Sequence, residues 1–590
     1  MRRTLLPRLM IRLRRIVRND RIVLVVLALA VGTLAGVAAV LFRLGIGLVQ
    51  SLFYGSADER FAHVAAALSP WHLLAAPALG GLLVGLLARA WLPEGRPQAV
   101  ADVIEAAAVR GGRMSLRTGL AAATVNALSL GVGSSLGREG PVVHLGAAIS
   151  SWTARSFRLS PALMRTLLGC GVASAVAASF NAPIAGVLFA LEVVTGNYVL
   201  SAFAPVVLAA VVGTALGRAV YGDYPAFVLP VLDTPPVAEF PSFVLLGAAA
   251  ALVAVVMMRG MLAAQQGFVA AGRRLGVPRW LHPALAGLLL GALALAWPEV
   301  LGVGYEATDT ALRGGYATAG FAALLLAKLA AVWLSFGAGF GGGVFSPALF
   351  VGAMAGGVFG AGAAAVLGEG ASTVGLYVMV GMGAVAGPVM GAPISTILII
   401  FELTGNYPAT LAAMVGTVVS AALVRVLFGH SLFTRQLALR GIDVTDGAEL
   451  APLASVRVRD LMAGDAPVVA PGAGRADLAA ALCRSGCGTL LAATPEDGRL
   501  AGILLAEDVA RALAAPEDAG DGPRAAALLR RLPPLTPGDD LRTALRRFDE
   551  THAPALPVVA DPASLRPVGV IHEGDALRAF RALATGRGTR

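Results

Sequence analysis

A chain whose apolar stretches come at or just under the length that crosses a bilayer has few folds open to it, and from Ile22 to about residue 440 this chain consists mostly of such stretches. Windows at 22–41, 72–90, 201–220, 242–257, 281–296, 319–335, 347–366, 373–387 and 408–428 are apolar. They run near or below the roughly 20 residues that span about 30 Å of hydrocarbon. Only 14% of the 590 residues are charged, where soluble domains average about 25%, so a bilayer must be the solvent. The 72 glycines punctuate these runs and predict close helix packing, with broken or re-entrant helices rather than uniform spans.

The first 21 residues carry Arg2, Arg3, Arg8, Arg12, Arg14, Arg15, Arg18 and Arg21 against one acid, Asp20. An arginine cluster directly before the first apolar run places the N-terminus in the cytoplasm. A signal-peptide reading stays open, although the apolar stretch is long and lacks a clear small-residue cleavage site. The net charge of +10 owes much to this arm, and no motif supports nucleic-acid binding. Cys170, Cys483 and Cys487 show no metal-ligand spacing and no disulfide framework. No Ser/His/Asp or Cys/His constellation argues for an enzyme.

Near residue 445 the long apolar runs stop and Asp, Glu, Arg and Pro rise, which marks a separate soluble domain. Before it, two stretches resemble each other. Ala182-Pro-Ile-Ala-Gly-Val-Leu-Phe-Ala-Leu-Glu192 leads to Thr195-Gly-Asn-Tyr198, and Ala392-Pro-Ile-Ser-Thr-Ile-Leu-Ile-Ile-Phe-Glu402 leads to Thr404-Gly-Asn-Tyr407. A second pair lies upstream, Gly137-Arg-Glu-Gly-Pro141 and Gly343-Val-Phe-Ser-Pro347. Two copies of one unit, roughly 22–220 and 240–440, therefore build the membrane part, with a substrate site expected where they meet.

A small anion leaving water needs its hydration replaced, and backbone N–H groups at helix N-termini do this without trapping it behind a full positive charge. The turns around Gly137, Arg138 and Gly140 and around Gly343, Val344 and Phe345 fit that need: glycines admit close approach, and Pro141 suits a first helical position. A divalent cation would be repelled by the same amides. Glu139 is then the unusual residue, because a carboxylate in an apolar region is costly unless it is itself a ligand of the positive site. It reads equally as a gate that competes with the anion or as a structural partner of Arg138. Lys328, inside an apolar run, adds positive potential near the pathway or pairs with carbonyls; Arg165 and Arg218 read as interfacial anchors.

The Gly-Arg-Glu-Gly-Pro box at 137–141, the Gly-x-Phe-x-Pro box at 343–347, Leu301-Gly-x-Gly-Tyr-Glu306 and Phe180-Asn-Ala-Pro183 together resemble the CLC family of chloride channels and proton-coupled chloride exchangers. The resemblance implies an all-α polytopic membrane protein with an inverted repeat and re-entrant half-helices over 22–445. It also implies a homodimer in a bacterial-type inner or plasma membrane, with one chloride pathway per subunit, both termini cytoplasmic, Glu139 as gate, and the Val344 and Phe345 amides lining the anion site.

Three positions depart from the family pattern. Gln98 takes the place of an anion-touching serine, Phe433 takes the place of a tyrosine and offers only its ring edge, and Val193 stands where exchangers often carry a second glutamate. With no titratable group at Val193 to relay a proton, the residues favour gated chloride conduction, with proton-coupled antiport as the alternative. Glu192 is expected in a buried network or at the dimer side.

The tail, with copies expected at 455–514 and 526–583, alternates short strands and amphipathic helices twice and resembles a CBS pair, a small cytoplasmic α/β module that often binds adenine nucleotides. Asp508 and Asp575 stand where ribose would be held, but Leu505 and His572 replace the usual hydroxyl residue three positions earlier. A dimerising or mechanical tail, with these aspartates as helix caps, is the simpler expectation. No cofactor is required.

Overall fold

The computed structural model describes residues 20–57, 61–196, 200–222, 235–442, 444, 453, 456–514 and 524–584; the N-terminal arginines before Asp20, and Asn197 and Tyr198, lie outside them. The chain separates into two compact units, Met1–Thr445 and Asp446–Arg590.

The described part of the first unit is helical. One half holds α1 (Asp20–Tyr54), α2 (Pro70–Trp91), α3 (Val100–Ala108), α4 (Leu116–Gly131), α5 (Glu139–Ser156), α6 (Pro161–Phe180), α7 (Pro183–Phe189) and α8 (Leu200–Tyr221). The other holds α9 (Phe240–Leu275), α10 (His282–Ala294), α11 (Tyr305–Leu312), α12 (Thr318–Ala338), α13 (Phe345–Leu367), α14 (Val374–Met390), α15 (Pro393–Thr404) and α16 (Tyr407–Leu427), followed by α17 (Leu432–Leu439). Among the described residues, eight helices are long and apolar enough to cross a membrane. α7 and α15 are not, and form the broken segments that the glycine pattern predicts. Several helices outrun their apolar windows: the window at 242–257 sits inside the 36-residue α9.

Glycine placement shows why the two halves take the same path. Gly146 stands seven residues after Glu139, and Gly352 seven residues after Phe345. Each meets a second glycine, Gly171 or Gly381, twelve residues before the proline that opens α7 or α15. A Cβ at Gly146 would fall 2.5 Å from the Gly171 carbonyl oxygen, and one at Gly352 would fall 2.3 Å from that of Gly381. The α5–α6 and α13–α14 pairs thus cross backbone against backbone, the contact that small residues allow where lipid removes the hydrophobic drive for association. Asn181 and Gly391 then end α6 and α14 in the left-handed conformation. Arg218 fixes the first of these turns by donating from Nε to Asn181 Oδ1 at 2.6 Å.

Pro141 and Pro347 occupy the third helical position, not the first, because α5 and α13 begin at Glu139 and Phe345. The third N–H of a helix has no partner four residues back, so proline costs nothing there.

The second unit contains β1 (Val468–Val469), α18 (Arg475–Arg484), β2 (Thr489–Ala493), β3 (Leu500–Leu505), α19 (Ala506–Ala514), α20 (Leu541–Thr551), β4 (Ala555–Val559), β5 (Pro567–His572) and α21 (Glu573–Ala584). Its duplication shows in strand register. In the antiparallel β2–β3 pair Ala492 faces Gly502 and the register then slips; in β4–β5 Val558 faces Gly569 and the same slip follows. Val458, Leu541, Phe548, Leu556 and Ile571 fill the core of the second copy, while Leu478, Leu490, Leu504 and Val509 fill that of the first.

Replacing Gly381 by Ala sets a methyl 2.3 Å from Gly352 O and should cost about 1–3 kcal/mol of stability. Gly362→Ala, which meets open space on α13, should cost nothing. Thermal unfolding of the two variants in detergent checks the contrast.

Candidate functional site: two helix starts around one carboxylate

The turns before α5 and α13 meet. Gly137 N donates to Gly343 O at 2.8 Å and Gly343 N donates to Gly137 O at 2.6 Å, closing a two-residue antiparallel bridge. Only glycines permit it: a Cβ on Gly343 would fall 2.7 Å from Gly140 N, and one on Gly140 would fall 2.9 Å from Gly343 Cα. An antiparallel pair has a local two-fold axis, so the two helix starts that leave it run in opposed senses. The first amides of each helix lack intrahelical partners and lie beside one another.

A cavity of ≈ 10 Å³ lies against these starts, room for about one water-sized sphere. Glu139 and Gly140 line it from α5, Val344 and Phe345 from α13, and Phe433 from α17, with Phe180 packed edge-on to Phe345 at 5.1 Å between ring centroids. Gln98 is not among its lining residues. It sits in the loop before α3, where its backbone oxygen accepts from Asn126 Nδ2 at 3.2 Å, and it lines a different cavity. The residue of this segment that does reach the small cavity is Val100. Which side chain of 97–101 faces the small cavity is a matter of local helix phase that residue counting could not read.

Glu139 is 5% exposed. Its Oε1 accepts from Ser346 Oγ and, at 3.3 Å, from Tyr305 Oη. Its Oε2 is buried without a hydrogen-bond partner, and it forms no ion pair among the described residues. The structural reading of Glu139 as partner of Arg138 gives way here. Arg138 Nη2 donates to Ser179 O at 3.5 Å, and its guanidinium lies over the Tyr305 ring, 5.2 Å from the centroid, lining another cavity with Arg43 and Tyr221. Neither Tyr305 nor Ser346 was assigned a role from sequence, although both stand inside boxes that were recognised. Their hydroxyls matter only because two distant segments converge on Glu139.

The loop that leads into Tyr305 is held in turn by Lys328. This lysine is fully buried on α12, with Nζ donating to Val300 O at 3.1 Å and Gly302 O at 2.9 Å and lying 4.8 Å from the Phe350 ring centroid. Gly302 N also donates to Gly133 O at 3.1 Å, tying the loop that opens α11 to the turn that opens α5. Of the two sequence readings, the carbonyl-paired lysine is the observed one.

Glu192 and Glu402 form a different arrangement. Glu192 accepts from the amides of Ile394 (3.1 Å) and Ser395 (2.8 Å) and from Ser395 Oγ (2.5 Å), while Glu402 accepts from the amides of Ile184 (3.0 Å) and Ala185 (2.7 Å). Each half thus caps the broken helix of the other. Val193 lies beside Glu192, partly buried against the main core.

In the second unit, Asp508 accepts from Arg530 Nη2 at 2.6 Å and Asp575 from Arg578 Nη2. His572, where a hydroxyl was expected, bonds Thr489 Oγ1 across the two copies at 3.0 Å.

These features define a polytopic helical membrane protein built as an inverted repeat, in which two helix starts meet at one small cavity. The voltage gated chloride channel family model matches residues 80–425, and a CBS domain model matches 527–582. A ClcB-like chloride channel protein of Ralstonia nicotianae is 33% identical over 415 residues, 69% of this chain and 95% of that one. The voltage-gated ClC-type chloride channel ClcB of Escherichia coli O81 is 31% identical over 70% of this chain and 98% of its own length. Among solved structures, a slow cyanobacterial Cl⁻/H⁺ antiporter superposes with TM-score 0.63 at 20% identity, covering 71% of this chain and 97% of the other. A eukaryotic CLC transporter superposes with TM-score 0.59 at 19% identity, covering 94% and 97%. This chain belongs to the CLC family of chloride transporters, an integral membrane protein with a C-terminal CBS pair.

Lys328→Met keeps most of the side-chain volume but strands two buried carbonyls, each worth about 1–3 kcal/mol. The variant should unfold several degrees below wild type in detergent, and an unchanged midpoint would remove Lys328 from the support of this site.

Proposed function

We propose that this protein is a proton-coupled chloride antiporter in which the Glu139 carboxylate and the transported anion take turns at one site. The observation that carries this reading is the position of Glu139: a carboxylate with no cation partner, one oxygen unsatisfied, wedged against the helix starts that suit a halide. An ionised Glu139 is itself the anion ligand, so chloride enters as the carboxylate leaves. A protonated Glu139 has no claim on the positive site and moves away. Each turnover of the site therefore exchanges a proton for an anion. Two solved structures of the same architecture are described as antiporters, one of Cl⁻ and H⁺ and one of fluoride and protons, the latter at 21% identity and TM-score 0.58.

Gated conduction is the second reading. It rests on Val193, which offers no proton acceptor beside Glu192, and on the curated relatives, whose names call them chloride channels. In either reading the active form is a homodimer in a bacterial inner membrane, with one pathway per subunit and both termini in the cytoplasm. Chloride is the favoured substrate. The CBS pair serves a mechanical role: Asp508 and Asp575, the residues that would hold ribose, already carry arginine partners.

Protein in chloride-loaded liposomes tests both readings. Wild type should drive protons uphill when given only a chloride gradient, and a chloride flux with no proton movement would favour the channel. Chloride flux should rise as pH falls, by at most about tenfold per pH unit, the slope of a single proton. Glu139→Ala should conduct chloride at a rate independent of pH and move no protons. A Glu139→Ala variant with the wild-type pH response would end the assignment of Glu139 as gate.

A further inference from the structure

An antiporter of this kind must pass its proton between Glu139 and the water on the far side of the anion site, and Val193 offers nothing to carry it. A second cavity, of ≈ 150 Å³, adjoins the small one. The same two segments line both: Val100 and Val143 face the small cavity, while Gln98, Asp102 and His144 face the larger one. The wall is thin, since a Cβ on Gly140 would lie 3.5 Å from Ala99 Cβ. The mouth is lined by exposed Glu94, Arg110 and Arg113, and deeper in lies His144, 2% exposed, its Nδ1 without a hydrogen-bond partner.

The other ionisable groups of this cavity are committed. Asp102 is bridged by Arg96 at 2.8 Å and by Arg440 at 3.0 Å. Glu105 is bridged by Arg110 and, at 3.2 Å, by Arg440. Arginine does not give up its proton. Of the other elements packed against α5, α13 carries no ionisable side chain. Arg117 on α4, Arg165 and Cys170 on α6, and Arg43 and Tyr54 on α1 do not line this cavity. Arg155, on α5 itself, is turned to the carbonyls of Ser151 and Met114. Imidazole can take a proton on one ring nitrogen and release one from the other, and Nδ1 of His144 has no partner that would hold it in one state.

We propose that His144 is the proton acceptor on this side of the membrane domain, taking a proton from cavity water and passing it to the Glu139 carboxylate, in place of the acidic group absent at Val193. The transfer breaks one N–H bond on the imidazolium and forms one O–H bond on Glu139, returning the ring to neutral. Five residues of α5 separate the two groups, about 7.5 Å along the axis, a gap closed by a short water chain or by inward movement of the carboxylate. Arg96, Arg110 and Arg113 on the cavity wall, with Arg440 bridging Asp102 and Glu105, outnumber Glu94, Asp102 and Glu105 by one charge, which lets chloride approach through the same cavity. The anion and the proton thus share an approach and part at Gly140.

This inference rests on the antiport reading, and one assay separates the two. Full-length protein in liposomes is followed with chloride and pH electrodes together, as wild type, His144→Gln and His144→Glu. The ratio of protons to chloride should fall at least tenfold in His144→Gln and return at least in part in His144→Glu, which restores a titratable group. Should His144→Gln aggregate, His144→Asn takes its place in the same comparison. A His144→Gln or His144→Asn ratio within twofold of wild type overturns the role of His144 while leaving antiport intact. A wild type that moves no protons overturns antiport, and this inference falls with it.

Discussion

The bridge between Gly137 and Gly343 is the contact on which the proposed anion site depends. Two hydrogen bonds between distant glycines hold α5 and α13 start to start, and the local two-fold symmetry of an antiparallel pair places their unsatisfied amides around one small space. A side chain at Gly343 or Gly140 would force the turns apart, and with them the paired helix starts. The proposed anion site is thus a consequence of backbone geometry. Its side chains modulate that geometry rather than create it.

Buried and half-buried carboxylates in this domain meet different fates, and the difference explains which one can move. Glu192 and Glu402 each accept two backbone amides from the opposite half, so removing either would leave a broken helix uncapped. Glu239 is likewise filled, by Ser372 N, Ser372 Oγ and Tyr377 Oη. Glu139 has only two hydroxyl partners, both on one oxygen. Hydroxyls can turn to other acceptors, and water or chloride can replace them, whereas capping amides have no alternative. The free-energy cost of vacating a site is therefore lowest at Glu139. Lys328 makes that looseness safe by pinning the Tyr305 loop from behind.

The tail repeats this theme of duplication with different chemistry. Matched register slips at Ala492 and Val558 show that β2–β3 and β4–β5 are copies of one hairpin. Their helix-start aspartates, however, are held by arginines, and His572 reaches across to Thr489 rather than outward.

Apolar spacing and glycine content were enough to establish a polytopic helical protein, because lipid leaves a backbone only helices or closed barrels to satisfy its N–H and C=O groups, and long continuous apolar runs do not have the alternation of barrel strands. The repeated Pro-to-Glu segments announced the duplication, and the glycine boxes announced the helix starts, because turns that need close backbone approach leave a compositional trace. Gln98 and Val100 show where that legibility ends: two residues apart, they face different cavities, and only the phase of the chain entering α3 decides which. Tyr305, Ser346, Lys328 and His144 gain their meaning from partners 26 to 207 positions away or from a cavity assembled by several segments. Sequence fixes what is local and periodic. Which polar groups share a dry interior depends on how the halves interlock, and tertiary structure alone decides it.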